Sequence, residues 1–311
     1  MNPSNENRFE DFFADDAYVT LKNHLYNYRL RRRAVRKCLQ PEPRELSLEV
    51  GSGMSPMTEA SDCVVYSELS FSALRTLRKA QGKGLFVVAD ATHLPFKAGS
   101  FSQVICSEVL EHLPEDRPAL REIAAVLKRE GSLILTFPHR RSYFAVDDRF
   151  VSHFRRYELS EMKLNLAEVG LKTAVVQKVF GPLEKLTMMS VISLIPLLNC
   201  FRRTKRKDNR KRNDSSSGFL TMLFVWLNRL YCIPVWLDAR LAPRCLSSVL
   251  LIRAVRNQFI LDGYKDIASD PSFQRIGFDP PPGTGRQAID ASPPVKKIFQ
   301  SSLLFFLTAE K

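Results

Sequence analysis

LSLEVGSGMSP, residues 46–56, is the stretch whose reading decides the fold. An apolar run closes on Glu49 and then breaks into a turn carrying Gly51 and Gly53. That pattern predicts a buried strand, a tight loop, and a helix opening near Ser55–Thr58. Glycine suits the loop because it tolerates φ > 0 and lets a ligand approach the backbone. A helix opening there would aim its free N–H groups at the same ligand. Two further acids close apolar runs downstream: Glu68 in CVVYSE and Asp90 in LFVVADATHLPF. Dinucleotide-binding βαβ units place an acid about 20 residues past the glycine turn, where it accepts hydrogen bonds from ribose hydroxyls. Glu68 stands at about that distance, but a GxGxxG fingerprint needs glycine where this chain has Pro56.

Outward from this stretch, apolar runs alternate with helical patterns. Strands are predicted at 46–50, 63–68, 84–89, 102–107 and 132–137, with helices near 70–80, 117–128 and 159–169. TAVVQKVF (173–180) reads as a sixth strand and SSVLLIRAV (247–255) as a seventh. The rhythm, with short runs such as VVY and VVA, predicts a parallel sheet covered on both faces. Residues 17–39 read as an amphipathic helix, with Tyr18, Leu21, Leu25, Tyr28 and Val35 at helical spacing. Residues 1–16 are polar and acidic.

Glu49-x-Gly51-x-Gly53, Glu68, Asp90-Ala91 followed by LPF, and SFSQVICSEVLEHL occur in that order. Together they resemble the class I S-adenosylmethionine (SAM)-dependent methyltransferases of the type 11 subgroup, over roughly residues 20–180 plus the strand near 247–255. Ser55 departs from the pattern, standing where many members carry a third glycine. The resemblance implies an α/β, Rossmann-like, seven-stranded, mostly parallel sheet and SAM as cofactor. It implies cofactor binding by Glu49, Gly51, Ser52, Gly53, Glu68, Leu69, Asp90, Ala91, Ser107 and Glu108. In that reading Glu49 lies beneath the amino-acid end of SAM, Glu68 takes the ribose hydroxyls, and Asp90 meets the adenine amino group beside the Ala91 N–H. Ser107 and Glu108 flank the methionine part, and the N-terminal helix covers the cofactor through Tyr26 or Tyr28. Singly, each acid is equally an exposed strand-end carboxylate; Glu49 also suits a cap on the glycine loop.

The segment TFPHRRSYFAVDDRFVSHFRRYEL (136–159) follows the fifth strand, and its polarity places it at the acceptor site. His153 is the first choice for a general base and His139 the second, since histidine titrates near neutral pH. A structural histidine is the alternative for each. Arg155 and Arg156 are candidates for an anionic acceptor, with Tyr157 beside them, or they face solvent. Glu108 and His112 are four apart and would share a face of a helical turn, as an acid–base pair or as a structural hydrogen bond.

Between the sixth and seventh strands lies an insertion, 183–245, in three parts. LTMMSVISLIPLLNCF (186–201) is apolar, RRTKRKDNRKR (202–212) carries eight basic residues and one acid, and FLTMLFVWLNRLYCIPVWL (219–237) is apolar and aromatic. A spanning helix needs about 20 apolar residues. The first run is short and holds Pro196. The second holds Asn228-Arg229 near its middle, where a charge costs roughly 2.5–3.5 kcal/mol. Both suit helices lying in a membrane interface, with Trp226, Tyr231 and Trp236 at headgroup depth and the basic run on anionic lipid. The alternative is a helical lid. The 311 residues have a formal net charge of +13 and a pI near 9.6, implying an acidic partner surface. The basic run lacks the interleaved aromatics that single-strand binders use, which disfavours nucleic acid. Six scattered cysteines indicate neither a zinc site nor a disulfide framework, so no metal is expected.

The expected organisation is therefore an N-terminal segment (1–45), a SAM-binding core (46–182), the insertion (183–245), a last core strand (246–256) and a disordered tail (257–311). The expected reaction is O-methylation of a lipid or lipid-linked acceptor by a cytoplasmic protein, peripheral on the inner membrane face through 184–237. A soluble methyltransferase of small molecules, with the insertion as lid, and a non-catalytic SAM-binding protein are the alternatives.

Overall fold

The computed structural model describes residues 22–39, 45–205 and 216–256. Tyr18, Leu21, most of the basic run and the tail from 257 lie outside the described residues. A helix, α1 (Tyr26–Cys38), precedes the sheet. Then come β1 (Ser47–Val50), β2 (Val64–Glu68), α2 (Phe71–Gln81), β3 (Leu85–Val88) and β4 (Phe101–Ser107). They are followed by α3 (Arg117–Val126), β5 (Leu127–Pro138), α4 (Val146–Phe150), α5 (Leu159–Glu168) and β6 (Leu171–Phe180). Two long helices, α6 (Pro182–Lys205) and α7 (Ser216–Leu241), separate β6 from β7 (Val249–Arg256).

The seven strands form one sheet in the order β3-β2-β1-β4-β5-β7-β6. All neighbours run parallel except β7, which is antiparallel to both β5 and β6. The short β-branched runs make this possible, because a strand covered on both faces is apolar on both. Successive side chains alternate between two cores. Val104, Leu133, Leu135 and Ile252 join α3 and α5 on one face through Leu120, Ile123, Met162 and Leu166. Ile105, Ile134 and Leu251 join Tyr28, Val35 and Val235 of α1 and α7 on the other. Each such aliphatic side chain contributes about 1.5–3 kcal/mol on burial. Helix α2 begins as its sequence dictates: the Ser70 hydroxyl accepts from Ala73 N, and Gly82 closes the helix at φ +69°.

One local expectation fails. No helix opens at Ser55–Thr58, and the connection from β1 to β2 is built of turns. The cause is Glu49, whose carboxylate accepts from Met57 N (2.6 Å), Thr58 N (3.1 Å) and Thr58 Oγ1 (2.6 Å). Those amides are held back toward the strand, and Pro56 fits an extended turn better than a helix interior.

The insertion packs on the domain with one face only. Asn228 Oδ1 accepts from Tyr26 N at 3.2 Å, and the Tyr26 and Tyr231 rings meet edge to face at 4.9 Å. Val235 and Ala239 are buried. Among the described residues, no helix is long and apolar enough to cross a membrane.

Candidate active site

The carboxyl ends of β3, β2, β1 and β4 lie side by side, and the strand order reverses between β1 and β4. Open α/β sheets bind ligands at such a switch point. Gly51 (φ +66°) and Gly53 (φ +55°) turn the chain there in the left-handed region. At Gly51 an added Cβ would lie 2.4 Å from Val109 Cγ2, so the loop requires glycine twice over. Glu68 ties this loop to α2: Oε2 accepts from Gly53 N at 2.9 Å and Oε1 from Ser70 N at 3.1 Å. Asp90 Oδ1 accepts from the amide and the hydroxyl of Thr92, each at 2.8 Å, fixing the turn that carries Ala91. Leu69 is exposed beside Glu68.

Glu49 lies under this loop and is buried; burial pushes its carboxyl up, and the bonds from Thr58 and Met57 pull against that. Glu49 thus holds the end of the β1–β2 connection at Met57 and Thr58, a structural role compatible with a place beneath a bound ligand. The buried hydroxyls of Ser52, Ser55 and Ser67 have no hydrogen-bond partner within the protein. Unpartnered hydroxyls clustered at a glycine turn, with acids on the flanking strand ends, fit a polar nucleoside ligand such as SAM. Ser55 in particular supplies a hydroxyl where a third glycine would offer nothing.

At the end of β4, Ser107 Oγ meets Thr136 Oγ1 at 2.8 Å. Glu108 adopts φ +54°, unusual for a non-glycine. Its carboxylate takes Thr136 Oγ1 at 3.2 Å and Arg31 Nη2 at 3.2 Å. Glu108 is therefore not on a helix, and the expected shared helical face with His112 does not form; only Leu110–His112 make a short 3-10 turn. Arg31 brings α1 onto the site, a contact that helical periodicity alone does not reveal. Of the two tyrosines expected to cover the cofactor, Tyr28 donates to Pro56 O at 3.0 Å above the β1–β2 connection, while Tyr26 packs against α7.

The segment after β5 folds back on this edge. Phe154 N donates to Glu111 O at 2.8 Å, placing His153 beside Glu111. His153 Nδ1 lies 3.0 Å from Asp148 Oδ1, its Nε2 lies 3.8 Å from Glu111 Oε1, and its ring meets that of His112 at 4.7 Å. Burial alone would raise the Asp148 carboxyl, but His153, Arg156 and Lys185 together hold it well below the usual range. An ionised Asp148 only accepts, so Nδ1 is the donor in this contact and Nε2 is the ring nitrogen turned toward Glu111.

His139 is placed differently. Its Nδ1 lies 3.0 Å from Ser247 O, and burial lowers its pKa. Arg156 and Tyr157, expected on the acceptor side, turn inward. Arg156 is buried, with Nε 2.7 Å from Asp148 and Nη1 donating to His139 O and Ser248 O. Tyr157 is wholly buried and its hydroxyl donates to Asp116 Oδ2 at 2.5 Å. Arg155 lies over the 113–116 turn, 3.6 Å from Asp116.

Two residues that sequence reasoning missed enter from α6. Lys185 is buried, 2.7 Å from both carboxylate oxygens of Asp147 and 2.8 Å from Asp148 Oδ2. Glu184 accepts from Ser248 Oγ at 2.7 Å, and burial raises its carboxyl. Their signal was a Glu-Lys pair opening an otherwise apolar run.

Residues 48–135 match the family model described as a methyltransferase domain. A demethylmenaquinone methyltransferase from Renibacterium salmoninarum is 33% identical over 102 residues, covering 32% of this chain and 43% of the relative. The chain thus spans less than half of that relative's length. Among solved structures, a chain of the Haloferax volcanii complex containing the Trm112 methyltransferase activator superposes with TM-score 0.52 at 13% identity, covering 81% of this chain and 99% of that one. A Thermotoga maritima SAM-dependent methyltransferase, described as a possible histamine N-methyltransferase, gives 0.50 at 17% identity, covering 80% and 98%. At such identities the superpositions speak for the fold. In its matched segment and in the order of its strands, this chain carries a class I SAM-dependent methyltransferase domain.

Proposed function

We propose that the chain methylates an oxygen on a lipid or lipid-linked acceptor that it meets at an anionic membrane face, working from the cytoplasmic side. SAM, when bound, supplies the activated methyl for an in-line displacement: the C–S bond breaks as the C–O bond forms. The protein's part is to bind, orient and exclude water. Glu68, Asp90 and the serine hydroxyls at the glycine turn hold the adenosyl part, and Arg31 with Glu108 closes the methionine side. His153, fixed by Asp148, handles the acceptor oxygen.

The observation that carries the acceptor class is the outer face of α7. Met222, Trp226, Leu230, Ile233, Leu237 and Leu241 recur at helical spacing, each at least 42% exposed. A continuous apolar stripe on a water-facing helix is unusual and marks an interaction surface. The basic run 202–212 joins α6 to this helix, and each Lys or Arg near anionic lipid adds about 1 kcal/mol. The domain touches the opposite face of α7, so the stripe is free to enter headgroups without unfolding anything.

The test has two arms. Flotation of the full chain with phosphatidylglycerol vesicles is compared with phosphatidylcholine vesicles and with Trp226→Ser/Ile233→Ser. Radiolabelled SAM is then added with fractionated lysate. The proposal expects flotation on anionic vesicles, loss of it in the variant, and counts entering the organic phase. Equal soluble recovery of both proteins, with counts only in aqueous metabolites, favours the lid reading instead.

A further inference from the structure

We propose that Glu111, His112 and His153 form a binding site for one divalent first-row transition-metal ion, next to the end of β4. One ligand atom from each of the three lies within 4.8 Å of the other two. Donors sharing an ion at about 2.1 Å stand about 3.4 Å apart. Two backbone hydrogen bonds hold the segments that carry the ligands together, Phe154 N to Glu111 O (2.8 Å) and His153 N to Asp148 O (2.9 Å).

Two independent features point the same way. Glu111 is fully buried, yet both its carboxylate oxygens lack a hydrogen-bond partner within the protein. A buried, unpartnered carboxylate is costly unless a cation compensates it. The second feature is Asp148. Metal-ligating histidines commonly donate their other ring N–H to a carboxylate, which fixes the tautomer. The His153 Nδ1 to Asp148 contact does this, leaving Nε2 directed at Glu111. The His112 ring lies beside that of His153, with centroids 4.7 Å apart, and brings its ligand atom into the same group.

Two imidazoles and one carboxylate suit zinc, iron, cobalt or manganese rather than calcium, which prefers oxygen ligands throughout. Three protein ligands leave positions open for an acceptor oxygen. A hydroxyl bound there would have its pKa lowered and release its proton to solvent, arriving as the nucleophile. His153 then acts as a ligand and no general base is required. That use of the ion rests on the methyltransferase reading; the binding of the ion does not.

Metal-free full-length protein titrated with Co2+ reports the site through visible d–d absorption, and calorimetry gives the stoichiometry. We expect one equivalent bound, at least 100-fold weaker binding in Glu111→Gln and in His153→Gln, and about 10–100-fold weaker binding in Asp148→Asn. Cys245→Ser, which removes an exposed thiol, leaves the spectrum unchanged. Circular dichroism and SAM calorimetry on each variant report whether it has folded. Cobalt binding that is absent, or equal in the wild type and both ligand variants, overturns the site. Wild type that binds SAM but no cobalt refutes the metal and leaves methyl transfer standing. Cobalt bound as expected with no turnover on any acceptor pool does the reverse.

Discussion

Replacing Lys185 with methionine keeps the length of the side chain and removes its charge from the interior. The Nζ group sits 2.7–2.8 Å from three carboxylate oxygens of Asp147 and Asp148. Both acids are buried, so the loss cannot be made good by water. The damage is unequal. Asp148 retains Arg156 Nε at 2.7 Å and His153 Nδ1 at 3.0 Å, whereas the ion pair left to Asp147 is Arg156 Nη2 at 3.9 Å. One carboxylate, not two, is left uncompensated, and breaking a buried pair in this way costs about 3–5 kcal/mol. That is a large share of the total stability of a domain. Urea unfolding should show a lower midpoint for Lys185→Met with an unchanged m-value. The double variant Asp147→Leu/Lys185→Met removes the orphaned charge along with its partner, and should return to within about 1 kcal/mol of the wild type. If Lys185→Met lies within about 1 kcal/mol of the wild type, or the double variant is no more stable than the single, the Lys185 charge does not compensate a buried Asp147.

Three other outcomes follow from the geometry. Tyr157→Phe should cost about 1–3 kcal/mol, because Asp116 is left with a buried oxygen short of a donor, while SAM affinity by calorimetry stays unchanged. Gly51→Ala should lose about 1–2 kcal/mol from the left-handed backbone alone, with more from the Val109 contact; Gly51→Ala/Val109→Ala should recover the second part in thermal melts. Glu184 has its carboxyl raised by burial, so the folded protein binds its proton more tightly than the unfolded chain does. Its contribution is complete below the unfolded value of about 4.3 and is lost as pH rises through the folded one. Glu184→Gln, which can still accept from Ser248, should therefore gain on the wild type as pH climbs from about 4.3 toward neutrality in parallel urea titrations.

The sheet was legible because its strands announce themselves locally. VVY, LFVV and LLI are short apolar runs rich in β-branched or aromatic residues between turn residues, and the structure moves most of their ends by only a residue or two. The glycine turn was legible for the same reason. The helix expected at Ser55–Thr58 was not, because a side chain on the preceding strand, Glu49, captures the amides that would have opened it. Such tertiary capture has no periodicity to read. The acceptor side shows the same limit. Arg156 and Tyr157 look like surface residues in a polar segment, but Asp148 and Asp116 receive them inside. Arg31 reaches Glu108, Lys185 reaches Asp147, and His112 faces His153, each from a different element. The cysteine pattern argued against a structural zinc site, and it had no bearing on two histidines and a glutamate brought together by a chain reversal.

These long-range contacts also bind the insertion to the chemistry. Helix α6 begins inside the charged cluster with Glu184 and Lys185 and runs toward the basic segment. Helix α7 returns with its apolar stripe outward and its inner face holding α1, through Asn228 to Tyr26 N and Tyr231 against the Tyr26 ring. Helix α1 in turn carries Arg31 to Glu108, beside the residues that end β4. The helices of the insertion are thus joined by packed contacts to both sides of the sheet's carboxyl edge: to Asp148 through α6, and to Glu108 through α1. Breaking a buried pair such as Lys185 with Asp147 and Asp148 is costly, so the start of α6 is held in one position against the carboxyl edge of the sheet.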